Sequence, residues 1–125
     1  MKVEISNGEL LDKLSILNIK EQKIIDENKL QNVHRERMLL QNMSEKLLTN
    51  NLVLEQYQML IEVNTQLWNI EDAIRLKEST KSFDNEFIEL ARSVYITNDL
   101  RADIKKNINI LTSSYLIEEK SYKPY

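Results

Sequence analysis

The sequence predicts an all-α protein, an up-down four-helix bundle with a short extended N-terminal arm and a C-terminal tail. Three observations point that way. The 125 residues include one Gly and one Pro, so backbone breakers are rare. Polar turn segments cluster at 26–28, 49–51 and 79–82, leaving four long uninterrupted stretches. Within those stretches apolar residues recur at helical spacing. In the third, Val53, Leu60, Leu67 and Ile74 repeat every seven residues with Val63 and Ile70 between them, a heptad-like seam.

The elements follow in order. Residues 1–6 alternate polar and apolar and read as an extended arm. Ser6 and Glu9 have the spacing of a capping box, with Ile5 and Leu10 placed for a hydrophobic staple. The first helix is therefore expected over 7–25. Asp26-Glu27-Asn28 turns the chain into a second helix over 29–48. Thr49-Asn50-Asn51 supplies a new cap, and the third helix spans 52–78. Ser79 to Ser82 forms the last loop. Ser82 or Asp84 caps a fourth helix over 84–113, with a kink or restart expected at Thr97-Asn98-Asp99. Residues 114–125 form the tail, part of which is expected to pair with the arm. Short loops between four helices favour up-down neighbours. At about 100–200 residues per domain, residues 1–125 make one.

Composition excludes several functions. With no Cys there is no disulfide framework, zinc-thiolate site or cysteine nucleophile. One glycine cannot build a phosphate-cradling loop. Lys+Arg is 17 and Asp+Glu is 20, and a net charge of −3 without a basic tail argues against nucleic acid as a partner. No window approaches the roughly 18 apolar residues of a membrane span, and Met1–Ile5 carries no signal-peptide h-region. The expected location is the cytoplasm. The bias toward Ile, Asn and Lys is that of an AT-rich bacterial or phage genome.

Candidate functional residues are polar groups on apolar stripes. In helix 1, Leu10, Leu14, Leu17 and Ile24 share a stripe that also contains Glu21. Ile16 and Ile19 lie on the opposite side, so this helix is apolar on two faces and is either central or pressed against a second subunit. In helix 2, Arg37 falls among Leu30, Val33, Leu40 and Leu47. In helix 4, Phe83, Phe87, Leu90, Ala91, Val94, Ile104 and Ile108 make the stripe, and an unbroken helix adds Asn98 and Arg101. Tyr57, Asn64, Trp68, Glu71 and Arg75 flank the helix 3 seam, with Glu71 and Arg75 at ion-pair spacing. Buried charges must be paired or hydrated. Glu21, Arg37, Asn98 and Arg101 therefore belong either to an internal ion-pair network or to a pocket in which Arg37 and Arg101 hold a small anion and Glu21 or Glu71 serves as acid or base.

Two metal-like patterns are weaker. Glu86-Phe87-Ile88-Glu89 matches the E-x-x-E of helical Mg²⁺-dependent nucleotide hydrolases, but it sits in a first turn, where acids complement the helix dipole. His34 is the only histidine and cannot furnish the two E-x-x-H motifs of a di-iron bundle. No catalytic residue, metal or cofactor is expected.

Several blocks resemble a family. Gly8 to Leu17 (GELLDKLSIL), Leu67-Trp68 with Ile70-Glu71-Asp72 and Ile74-Arg75, Phe87 to Tyr95 with Thr97-Asn98-Asp99, and Glu118 to Tyr122 are similar to a small uncharacterised helical family of bacteria and phages. That resemblance spans nearly the whole chain. It implies a protein without an assigned activity, associated in some members with surface-glycan genes, and it directs attention to Trp68, Glu71, Arg75, Arg92, Asn98 and Asp99. A fainter resemblance is to helical chorismate mutases, which bind a dianion among inward Arg, Lys and Glu side chains. Here helix 1 lacks the Arg that family supplies. The leading expectation is a non-enzymatic interaction or accessory protein acting as a homodimer. Ile16, Ile19, Trp68 and the tail are its contact candidates, and a protein or a small anion is the alternative partner.

Overall fold

The computed structural model describes residues 1–125 as four helices and no strand: α1 (Asn7–Lys23), α2 (Glu27–Leu48), α3 (Asn51–Ser79) and α4 (Asn85–Leu111). Each begins at a side-chain cap. Ser6, Asp26, Asn50 and Asp84 accept hydrogen bonds from Glu9, Lys29, Leu52 and Phe87 backbone N–H groups respectively. The Asp26 cap starts α2 two residues before position 29, and Ile24, in extended conformation, ends α1 before residue 25. The capping box at Ser6 is only half made, because the Glu9 carboxylate turns to Lys105 and Lys13.

No kink interrupts α4 at Thr97–Asp99. Asn98 does not restart the helix; its amide oxygen accepts from Arg101 one turn on. The helix ends where Ser113 takes a positive φ of 50° and the Ser114 N–H returns to the Asn109 carbonyl at 2.8 Å.

The four helices form a bundle in which α1 packs against all three others, while α2 and α4 do not meet. Both apolar faces of α1 are thereby satisfied inside the chain. The core joins Leu11 and Leu14 of α1, Val53, Tyr57, Leu60 and Val63 of α3, and Ile104 and Ile108 of α4. The expected extension of this core toward Phe83 is not there. Phe83 is exposed, and Phe87, Leu90, Ala91 and Val94 are only half-buried. The reason is length. At 1.5 Å per residue α1 spans about 26 Å and α3 about 44 Å. No residue from 65 to 96 is buried, so the far part of α3 and α4 is a two-helix arm beyond the core.

The tail lies extended along α4 and forms no strand with the N-terminal arm. Side chains fasten it instead. Ser6 Oγ donates to Glu118 at 2.5 Å, Asn109 donates to Glu118 at 3.0 Å, Lys106 pairs with Glu119, and Tyr125 donates to Asp99 at 2.7 Å while its ring meets Tyr95 edge-on.

Candidate functional site

The densest polar constellation lies between α1 and α4. Asp12 is 1% exposed. Arg101 grips both its oxygens, Nε to Oδ1 at 2.9 Å and Nη2 to Oδ2 at 2.5 Å. Asn64 of α3 donates to Asp12 Oδ1 at 2.9 Å and to Ser15 Oγ at 2.7 Å, while Ser15 Oγ donates to the Asp12 carbonyl. Lys105 stands 3.8 Å from Asp12 and 2.5 Å from Glu9. One acid thus ties its own helix to two others.

Local sequence explains how the helices come this close. Gly8, Asp12 and Ser15 occupy one face of α1 at i, i+4 and i+7. A Cβ at position 8 would lie 2.4 Å from the Lys105 carbonyl oxygen, so only glycine permits this approach. Gly8 N–H donates to Asn109 Oδ1 at 2.6 Å, and the same Asn109 side chain reaches Glu118.

Electrostatics follow from that geometry. Burial pushes the Asp12 carboxyl up, but the bonds from Arg101 and Asn64 and the charges of Arg101 and Lys105 outweigh it and hold the group below its ordinary value. Bonding to Asp12 raises Arg101 in turn. Burial likewise pushes Glu118 up, and Ser6, Lys105 and Asn109 overcome it to leave that carboxyl lowered. Tyr57, which accepts from Asn18 at 2.5 Å, is pushed up to about 12 by burial. An acid 1% exposed with both oxygens engaged by other helices is built to clamp them together.

The sequence-derived candidates fall into separate groups. Glu21 pairs with Arg37 across α1 and α2, with His34 3.4 Å away, beside a cleft of about 450 Å³ lined by Asn18, Ile19, Gln22, Ile61 and Thr65. Arg101 belongs to Asp12, with Asn98 3.5 Å away. Arg37 and Arg101 answer to different acids, and the cleft beside Arg37 does not contain Arg101, so the structure does not assemble the shared anion pocket. Glu71 and Arg75 form an exposed pair at 2.7 Å on the arm, one turn beyond half-buried Trp68. Glu86 binds Lys77 and Glu89 binds Arg92, so the E-x-x-E carboxylates diverge to separate cations. Nowhere do three or more His, Asp or Glu side chains gather as a metal site would require.

Two interface candidates need correction. Ile19 is 4% exposed and Ile16 half-buried, both within a single chain, because α1 is the central helix. A charge at position 19 would disrupt the fold rather than a subunit contact. Asp12, Ser15 and Glu118 entered the sequence reading only within its family-like blocks and not as a buried cluster, and Lys105 and Asn109 did not enter it. A signal for the first two was present in the lone glycine, with Asp and Ser four and seven residues after it on one face.

Fold and site together define an all-α helical-bundle protein whose helices are pinned by a buried carboxylate–guanidinium clamp. The chain belongs to a family of unknown function (DUF6165), whose model matches residues 1–125. No curated protein and no solved structure matches it. No helix is long and apolar enough to cross a membrane.

Proposed function

We propose that this protein is a non-enzymatic helical interaction protein that works as a homodimer. One observation carries the reading. A compact 14.8 kDa protein exposes about 7,000 Å². This chain exposes 9096 Å², an excess of roughly 2,100 Å² over that expectation. Stable partners each cover about 800 Å² or more, so the excess is of interface size. Its chemistry agrees, since twenty-three large apolar side chains are exposed against twelve in the core.

Sedimentation velocity over a concentration series tests the proposal. The expected species has a mass of 2 × 14.8 = 29.6 kDa. A 14.8 kDa species at every concentration would overturn it.

A further inference from the structure

The polar stripe that holds α1 continues past the end of the core. On α3, Asn64 bonds to α1, and Trp68, Glu71 and Arg75 follow it on the same helical face at steps of four, three and four. On α4, Arg101 grips α1, and steps of three and four back from it give Asn98, Val94, Ala91 and Phe87. The two stripes lie on the side of α3 and α4 that meets α1 and together make one face. Its near half lies against α1. Its far half lies on the arm, where no residue of this chain is buried. The C-terminal tail meets α4 at Tyr95 and Asp99, at the edge of that open half.

We propose that the open half of this face is covered by the same face of a second copy. Two arms pack face to face about a two-fold axis, making an intermolecular four-helix bundle with Trp68 and Phe87 at its centre. This rests on the self-association proposed above and adds its location. Three features select this occupant. The face carries Trp68 on α3 and Phe87, Ala91 and Val94 on α4, all only half-buried in the single chain, so a second copy of the same face offers them apolar partners. The rim carries both signs, Glu71 with Arg75 on α3 and Arg92 on α4, so two identical faces can set acids against bases. The surplus surface per chain exceeds what a stable dimer covers.

The test uses the lone tryptophan and three variants. The wild type should dimerise with a blue shift of Trp68 emission that tracks the mass change. Trp68→Glu should weaken dimerisation by about tenfold or more while keeping its helical circular dichroism. Arg75→Glu, an exposed position on the same face of the arm, should do the same and serves where Trp68→Glu fails to fold. Leu39→Glu, at a position 63% exposed on α2, should leave the dimer intact. A dimer that survives the arm substitutions but is lost in Leu39→Glu overturns this location and leaves self-association standing. A dimer whose Trp68 emission is unchanged by association also overturns it. A wild type that stays monomeric ends both proposals.

Discussion

Asp12 shows how one residue sets the terms for its neighbours. Its carboxylate is held by Arg101 and Asn64 with Lys105 3.8 Å away, and the residue is 1% exposed. Removing one partner of such a pair leaves the other uncompensated, which costs about 3 kcal/mol or more. Asp12→Ala should therefore lower the unfolding free energy by about that amount in a denaturant titration, whereas Glu71→Ala, which breaks an exposed pair, should change it by less than about 0.5 kcal/mol. Equal losses in the two variants would show that the buried pair has no special role. The same group sets an acid limit. Its ordinary value is 3.8 and folding lowers it, so the unfolded chain binds this proton more readily than the native one. The stability it contributes is complete above that ordinary value and is lost as pH falls through it toward the native value. Melting temperature should drop between about pH 5 and about pH 3, and less steeply in Asp12→Ala. Slopes that match in the two proteins would exclude Asp12 as the titrating group.

At the scale of elements, the tail and the arm behave differently. The tail is extended and lacks a ladder, yet Glu118 ties it to Ser6 and Asn109 at the start of α1 and the end of α4. Glu118→Gln removes the charge that complements the α1 N-terminus and should loosen the tail. Limited proteolysis reads this as faster cleavage within residues 115–125, and an unchanged rate would show that Glu119 and Tyr125 hold the tail without it. The arm is the opposite case. Its helices are fully hydrogen-bonded but have no buried side chain from 65 to 96. In dilute protein its amides should exchange faster than those of residues 53–64 and 97–108, and protection should rise with concentration as a second copy covers the arm. Uniform protection along α3 at low concentration would mean that the arm is stable alone. Much of this level was legible in advance, because capping residues and turn clusters are local signals. The unbroken path of α4 through Thr97–Asp99 was not, since it depends on Asn98 turning to Arg101 instead of capping.

At the scale of the whole molecule, composition and periodicity determined an all-α chain of four helices, their order, and the α3 stripe that gives Val53, Leu60 and Val63 to the core. Those properties follow from backbone propensity and spacing, which act within a few residues. They also showed that charges lie on apolar stripes. What they could not decide was pairing. Arg101 meets Asp12 across α1 and α4 and Arg37 meets Glu21 across α1 and α2, so the two arginines that spacing would place in one pocket are held apart by which helices pack together. That choice depends on contacts between residues 89 positions apart in the chain. The same holds for the arm. Phe83 to Val94 carry a core-like pattern in sequence, but a helix buries its stripe only where a neighbour is long enough to cover it. The shorter length of α1 was legible in the sequence, but where it lies along α3 and α4 is settled only in the folded chain.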